Sequence, residues 1–313
     1  MKHLYYAAIL TLYDKNCEID EREQRKYIRF LLEEGVRGFF PCGTSGEYTT
    51  LSQKENLKLL QIVLEENNDK VPVIPCASTA SFHNTVALIR EMEHMGVQAV
   101  SICPPYYTPL RQSDILDYYC HILDAVKVDV YLYNIPAFTN PISFETFEKL
   151  LLHPKVVGIK DSSGNMKTIS RYVAAKSGRR DEFRVMTGTD EMILPALSGG
   201  CFGSVSALSG VIPEVHNLLY DTYRNDLTFA QQIQIKIADL ASECEKYIFP
   251  VGYKFALEAR GFAMPAFRQN VVEHISGDDY GQGRERIHML VDELLAMADK
   301  GKMPAREQNR KWA

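Results

Sequence analysis

Short apolar runs alternate along this chain with longer amphipathic stretches, which is the pattern of βα units and predicts an α/β protein. Eight such units follow one another, whereas an open doubly wound sheet usually has about five or six strands. The length of 313 residues fits a barrel of about 250 residues with an addition at one end. The sequence therefore predicts a closed (β/α)8 TIM barrel with a C-terminal helical appendage.

The predicted strands are short runs rich in apolar and β-branched residues. They cover residues 5–10, 38–41, 71–75, 99–103, 130–133, 156–160, 184–187 and 203–206. Helical periodicity predicts the intervening helices near 21–34, 53–66, 81–95, 114–126, 143–152, 167–177, 190–198 and 213–225.

After the last βα unit the strand pattern stops, and helices are predicted at 228–247, 251–259 and 284–300. We divide the chain into a barrel, residues 1–225, and a C-terminal three-helix region, residues 226–313. No separate linker joins the two parts. The second is therefore interpreted as an appendage rather than an independent module.

Boundary residues support several of these helices. Ser52 and Glu55 form an S-x-x-E capping-box pattern, and Ser143 stands where a helix N-cap is expected. Asp190 and Glu191 place acids at a helix start, where the helix dipole favours negative charge. Glycines stand just past three predicted helix ends, at Gly35, Gly96 and Gly178.

Composition places the chain among ordinary globular proteins, with 46% hydrophobic and 24% charged residues. The net charge of −5 with mixed signs argues against a nucleic-acid-binding surface. Its one notable basic cluster, residues 306–311, is interpreted as a frayed, solvated tail. No run approaches the roughly 18 apolar residues of a membrane span, and the N-terminus lacks the apolar segment of a signal peptide.

The seven cysteines are scattered and include no C-x-x-C pair, so neither a disulfide framework nor a zinc site is expected. This cysteine usage predicts a reducing, cytoplasmic location. The eight histidines show neither H-x-H nor H-E-x-x-H spacing. We therefore expect no metal site.

Lys160 is unusual because it ends an apolar strand, V-V-G-I-K. Side chains of a strand alternate between faces, so if Val157 and Ile159 pack under helices, Lys160 points into the space that the sheet encloses. Removal from water would lower its pKa and provide a free amine nucleophile, which can form a Schiff base with a carbonyl substrate. The alternative is a surface pair of Lys160 with Asp161 at a strand end.

Polar residues gather at the C-terminal ends of the strands, where barrel enzymes place their active sites. They are Gly43, Thr44 and Ser45 in a glycine-flanked turn, Tyr107 in a proline-rich loop, Tyr133, Lys160, the Asp190–Glu191 pair, and Ser206. Each segment alone could be an ordinary turn, a packed loop or a helix cap. Together they offer an amine, a carboxylate cradle of backbone N–H groups, and hydroxyls to relay protons.

Three motifs resemble the superfamily of dihydrodipicolinate synthase and N-acetylneuraminate lyase, the Schiff-base-forming, pyruvate-dependent class I aldolases. They are G-T-S-G-E at 43–47, Y-N-x-P at 133–136 and G-I-K-D at 158–161. The resemblance implies that Lys160 forms the imine, with no other cofactor, and that Tyr133 donates and accepts protons. By the same resemblance Thr44 and Ser45 relay protons and bind the substrate carboxylate. It also implies that Tyr107 reaches into a neighbouring subunit's site within a homotetramer, a dimer of dimers.

The sequence departs from the synthases at Phe138, where they typically have an arginine that binds the carboxylate of aspartate semialdehyde. An apolar ring cannot make that contact, although Arg111 is a candidate to replace it. Asp190 and Glu191 resemble the acids that bind polyol hydroxyls in sugar-acid aldolases. Ser206 and its neighbours do not match the Tyr-Asn of neuraminate lyases.

The expected function is therefore reversible cleavage of a 2-keto-3-deoxy sugar acid to pyruvate and an aldehyde. Four alternatives remain open at the level of sequence. They are dihydrodipicolinate synthase, N-acetylneuraminate lyase, a dehydratase that uses the same imine, and a non-catalytic homologue that binds keto acids.

Overall fold

The computed structural model describes residues 3–268 and 277–301, so the basic cluster at 306–311 lies outside the described residues. Seven parallel strands form one sheet in the order β2-β1-β7-β6-β5-β4-β3. They are β1 (Leu4–Ala8), β2 (Phe39–Phe40), β3 (Ala99–Ile102), β4 (Asp129–Asn134), β5 (Val156–Asp161), β6 (Arg184–Thr187) and β7 (Gly203–Ser206). β1 is the first strand in sequence, and it pairs with β7, the last, as well as with β2, so the sheet curls round on itself. The predicted α/β barrel is confirmed.

The prediction of a third strand at residues 71–75 is wrong, although the segment lies where that strand would have been. It lies between β2 and β3 and hydrogen-bonds to both, through Phe39 N to Pro72 O at 2.9 Å and Ser101 N to Pro75 O at 2.8 Å. Pro72 and Pro75 have no N–H to donate, so only isolated bridges form instead of a continuous ladder. This segment closes the barrel.

Helices follow the strands as the periodicity predicts. They are α1 (Glu21–Glu33), α2 (Gln53–Asn67), α3 (Phe82–His94), α4 (Gln112–Ala125), α5 (Phe144–Leu151), α6 (Met166–Lys176), α7 (Ile193–Ser198), α8 (Pro213–Thr222), α9 (Leu227–Cys244), α10 (Val251–Glu258) and α11 (Gly277–Gly301). The predicted helix at 190–198 begins with one 3-10 turn, Asp190–Met192. Among the helices described here, none has the length and apolar character needed to cross a membrane.

The predicted helix boundaries are largely confirmed by hydrogen bonds. The Ser52 hydroxyl accepts from the Glu55 amide at 3.3 Å, and the Ser52 amide donates to the Glu55 carboxylate at 2.7 Å. Ser143 accepts from the Thr146 amide at 3.1 Å. The three helix-end glycines have positive φ, which glycine adopts without a Cβ clash: Gly35 at 77°, Gly96 at 87° and Gly178 at 71°.

Side chains inside the barrel form two layers along β4, β5 and β6. Tyr131, Gly158 and Arg184 are in register near the N-terminal ends of the strands. Tyr133 and Lys160 are in register two residues further along, with Met186 beside them. A Cβ on Gly158 would lie 2.5 Å from the Tyr131 ring, so the glycine of the G-I-K motif makes room for a phenol in the lower layer.

The C-terminal helices pack against the barrel rather than extending away from it. α9 contacts α8 and the 3-10 turn at Asp190, and α11 contacts both α8 and α9. Buried side chains such as Ile237 on α9 and Leu294 on α11 share one core with Leu31 on α1. This packing fixes the start of α10 and the connection before it over one end of the barrel.

Candidate active site

A cavity of about 420 Å³ lies at the C-terminal ends of the strands, the position that the barrel fold favours for catalysis. Six of the residues predicted from sequence as parts of the site line it together, along with Phe138 at its mouth. These six are Thr44, Ser45, Tyr133, Lys160, Asp190 and Glu191. The structure thus brings together residues from four separate loops and strand ends.

Lys160 lies inside this cavity and is only 4% exposed. Its Nζ is 4.1 Å from the centroid of the Tyr133 ring and 4.4 Å from that of Phe40. Burial lowers the pKa of Lys160 to about 7, although the negative charge of Asp190 acts in the opposite direction. A substantial fraction of this amine is therefore uncharged and nucleophilic near neutral pH.

The space around the Lys160 side chain depends on Gly188, which follows β6. A Cβ at this position would lie 2.7 Å from Cε of Lys160 and would also collide with the Ser162 hydroxyl. Any larger residue would displace the lysine or the loop that follows it. Gly188 therefore keeps the amine in its present position.

Tyr133 and Thr44 form a pair of hydroxyls beside the amine. Their oxygen atoms are 3.1 Å apart, and either can donate the hydrogen bond. Burial raises the pKa of the Tyr133 phenol well above its usual value, so the hydroxyl stays protonated. A protonated phenol hydrogen-bonded to a second hydroxyl can pass a proton along the pair.

Carboxylates form the wall of the cavity that follows β6. Asp190 is buried, and its Oδ1 has no hydrogen-bond partner, although Nε2 of His216 lies 3.7 Å away. Burial, together with the nearby charges of Asp190 and Glu245, raises the pKa of Glu191 to about 7. Burial and Asp190 also raise the pKa of Glu245. This wall can accept hydrogen bonds from substrate hydroxyls, and near neutral pH a protonated Glu191 can donate one.

Three residues predicted as parts of the site do not line the cavity in a single chain. The Ser206 hydroxyl hydrogen-bonds to Nε2 of His216 at 3.2 Å in the buried layer beneath it. Gly43 packs against Phe40, where a Cβ would lie 2.7 Å from the ring. Tyr107 is 100% exposed and has a φ of 76°, which is unusual for a residue other than glycine.

Phe138 lies at the cavity, whereas Arg111 lies away from it. Phe138 lines the mouth of the cavity and is 57% exposed, with its ring centroid 6.4 Å from that of Phe249. Arg111 stands just before α4 on the surface, where its guanidinium pairs with Asp114 at 2.9 Å. It does not line the cavity, so it is not placed to replace an arginine at the position of Phe138.

Sequence reasoning missed several cavity residues, and four of them belong to the C-terminal region. They are Glu245, Tyr247 and Phe249, in the connection between α9 and α10, and Tyr253 on α10. The sequence shows an aromatic-rich break between two helices, K-Y-I-F-P, but it gives no indication of where this break docks. Their placement depends on the packing of α9 and α11 against the barrel.

The G-T-S-G-E turn is itself tied to the C-terminal region. Glu47 forms an ion pair with Lys254 of α10, and both side chains are almost completely buried. Nζ of Lys254 also lies 4.3 Å from the centroid of the Tyr13 ring. Since Glu47 follows Thr44 and Ser45 in the same turn, the pair fixes the turn relative to α10.

Metal chemistry has no evident ligand set in the part of the chain described. Within residues 3–268 and 277–301, no group of three or more His, Cys, Asp or Glu side chains is arranged to hold a metal ion.

The model of the dihydrodipicolinate synthetase family matches residues 3–283, which is most of the chain. The chain belongs to this family, and it is an enzyme, a lyase. This assignment agrees with the resemblance drawn from the three sequence motifs.

Particular relatives have different named activities. The 4-hydroxy-tetrahydrodipicolinate synthase of Methanopyrus kandleri is 32% identical over 260 residues, covering 82% of this chain and 86% of the relative. A structure of the synthase with the same name from Methylacidiphilum fumariolicum SolV matches with a TM-score of 0.87 at 25% identity, covering 96% and 99%. The 2-keto 3-deoxygluconate aldolase of Picrophilus torridus matches with a TM-score of 0.80 at 28% identity, covering 86% and 97%.

Proposed function

We propose that this lyase cleaves 2-keto-3-deoxy sugar acids to pyruvate and an aldehyde through an imine on Lys160, without another cofactor. The uncharged amine attacks the C2 carbonyl, and loss of water from the carbinolamine gives the imine. Cleavage of the C3–C4 bond then releases the aldehyde as the C4 hydroxyl loses its proton. The electron pair moves into the imine to form an enamine.

The protein's own hydroxyls handle the protons in this sequence. Tyr133 lies beside the amine, and its hydroxyl can take the proton of the C4 hydroxyl while passing its own to Thr44. The Thr44 hydroxyl gives up a proton in turn, so that the proton lost from the C4 hydroxyl is balanced by the one that C3 gains in the next step. Protonation of the enamine at C3 and hydrolysis of the resulting imine release pyruvate and restore the amine. The water lost at the start is regained at the end, so one sugar acid yields one pyruvate and one aldehyde.

The observation that supports a sugar acid is the charge of the cavity lining. The lining includes three carboxylates, Asp190, Glu191 and Glu245, and among the described residues that form it there is no arginine and no lysine other than Lys160. Sugar hydroxyls can donate to these carboxylates, each hydrogen bond contributing about 0.5–1.5 kcal/mol and up to about 3 when charged. The carboxylate of aspartate semialdehyde would have no paired cation there, which is costly for a desolvated charge.

The names of the relatives support both this reaction and its main alternative. An aldolase for 2-keto 3-deoxygluconate and synthases for 4-hydroxy-tetrahydrodipicolinate both resemble this chain at similar identity. Phe138 at the mouth of the cavity favours the first, because its ring offers a sugar's C–H face an apolar surface and offers a carboxylate no partner.

The decisive experiment compares kcat/KM for 2-keto-3-deoxygluconate cleavage with kcat/KM for condensation of pyruvate with aspartate semialdehyde. Pyruvate release is followed with a coupled assay, and the Lys160→Ala variant provides the background. We expect cleavage to be much faster. A ratio that favours the semialdehyde would contradict the proposal, and consumption of the sugar acid without pyruvate release would indicate a dehydratase.

Phe138→Arg provides a matched test of the specificity argument. Restoring a guanidinium at the mouth should raise the rate of semialdehyde condensation while leaving imine formation with pyruvate unchanged. If this variant gains nothing with the semialdehyde, Phe138 is not what excludes that substrate.

A further inference from the structure

A second cavity, of about 400 Å³, lies at the opposite, N-terminal end of the barrel. Its inner wall is the lower layer of barrel side chains, with Tyr6 of β1, Tyr131 of β4 and Arg184 of β6. Tyr131 and Tyr133 are two residues apart on the same face of β4, so this layer separates the second cavity from Lys160.

Arg184 is the charged group of this wall, and its own surroundings do not neutralise it. Nη1 of Arg184 donates to the Tyr131 hydroxyl at 2.9 Å, and the guanidinium carbon lies 4.9 Å from the Phe202 ring centroid. Among the described residues, no Asp or Glu carboxylate lies within ion-pair distance of Arg184. A half-buried guanidinium keeps its charge and favours an anionic partner.

Tyr6 adds a hydrogen-bond donor at the same place. It is 0% exposed and lines the cavity, and its hydroxyl forms no hydrogen bond of good geometry, although the Arg184 guanidinium lies close enough to interact with it. Burial raises the pKa of the Tyr6 phenol, with Arg184 beside it acting in the opposite direction, so the hydroxyl remains a donor at neutral pH. Buried hydroxyls are nearly always hydrogen-bonded in folded proteins, and an anion bound at Arg184 would be an acceptor for this one.

The rest of the cavity indicates which kind of anion fits. Lys70 and Asp69 lie at its outer part and have opposite charges, so the inner part takes its positive charge from Arg184. Ile74 and Val97 supply apolar wall, which suits a hydrocarbon chain better than a fully hydrated inorganic ion. We propose that this N-terminal cavity binds a small aliphatic carboxylate, held by the Arg184 guanidinium and the Tyr6 hydroxyl.

Butyrate is a suitable probe because it has no keto group and cannot form an imine with Lys160. Calorimetric titration and the shift in melting temperature should both show binding to the full chain, with butyrate stronger than sulfate. Lys160→Ala should bind butyrate as the wild type does. Arg184→Gln should weaken binding about tenfold or more, whereas Arg90→Gln, which removes one exposed positive charge, should not.

Tyr6→Phe tests the site without removing the guanidinium. It deletes a buried hydroxyl that forms no hydrogen bond of good geometry, so the ligand-free protein should unfold at nearly the same temperature or higher. Butyrate binding should nevertheless weaken about threefold to tenfold. The proposal is overturned by absence of binding at millimolar butyrate, by binding that depends on Lys160 rather than Arg184, or by sulfate binding as tightly as butyrate.

Discussion

The Nζ atom of Lys160 lies 4.1 Å from the centroid of the Tyr133 ring, and the two residues are paired in register on neighbouring strands. The backbone pairing of β4 with β5 therefore sets the distance between the amine and the phenol. An imine formed at Lys160 must lie beside the hydroxyl pair of Tyr133 and Thr44.

Incubation with pyruvate and cyanoborohydride should add one three-carbon adduct to the protein, and Lys160→Ala should abolish it. Since burial lowers the pKa of Lys160 to about 7, the free amine is gained as pH rises through that value. The rate of labelling should therefore rise between about pH 6 and 8 and level off there, well below the pKa of about 10.4 of an ordinary lysine. Intact-mass spectrometry measures both effects, and persistent labelling of Lys160→Ala would disprove the assignment.

Tyr133→Phe should lower kcat for sugar-acid cleavage by about 10² or more, because it removes one hydroxyl of the relay and keeps the ring. Tyr172→Phe is the matched control. Tyr172 is also a buried phenol, but it lies on α6 and does not line the cavity. Equal rates for the two variants in steady-state assays would mean that Tyr133 only packs.

Glu191→Gln should raise KM for a sugar acid about tenfold, because a charged acceptor of substrate hydrogen bonds becomes neutral. In the wild type, Glu191 loses its charge as pH falls through about 7, so KM should rise in that direction. The Glu191→Gln variant should not show this rise in KM. Lys160 titrates in the same pH range. The KM at each pH is therefore compared with the rate of pyruvate labelling at that pH, and Glu191→Gln should leave the labelling rate unaltered.

Tyr107 is fully exposed in the single chain, and we predict that it completes a neighbouring subunit's site. Tyr107→Ala should then be nearly inactive but folded. Mixing it with Lys160→Ala under conditions of subunit exchange should restore part of the activity, because some sites would receive an intact Lys160 and an intact Tyr107. A shared site would be refuted if light scattering showed a monomer under conditions where the enzyme is fully active, or if the mixture regained no activity.

Lys254→Met should destabilise the protein by about 3–5 kcal/mol, because it leaves the buried Glu47 carboxylate without its partner. The double variant Glu47→Gln, Lys254→Met removes both charges and should recover most of that loss. Urea unfolding of the two single variants and the double variant measures the coupling. Additive effects would show that the pair is not an energetic unit.

Local patterns in the sequence are sufficient to predict the barrel and several of the residues that line the cavity around Lys160. The β-branched run before Lys160 and the turn containing Thr44 each have a local pattern, and the fold brings the ends of parallel strands together. The predicted strand at 71–75 is wrong because Pro72 and Pro75 lack the N–H groups that a continuous ladder needs, which apolar periodicity does not show.

The cavity residues beyond the barrel could not be predicted in the same way. Glu245 and Phe249 reach the site only because α9 and α11 pack on the barrel, which is a tertiary relationship without a local sequence pattern. The partners of Ser206 and Glu47 are likewise distant in sequence or come from another element. Sequence periodicity shows which face of a helix is apolar, but it does not show which surface covers that face.

The two prolines that interrupt the segment between β2 and β3 have a consequence for the partly folded chain. Before the barrel closes, β2 and β3 are the edges of an open sheet, and unpaired edges of this kind invite aggregation with other molecules. A segment that lacks two of its N–H groups is a poor template for intermolecular strand pairing, yet it satisfies enough bonds to close its own barrel. Replacing Pro72 and Pro75 with valine would therefore be expected to increase aggregation during refolding, even if the native barrel gained hydrogen bonds.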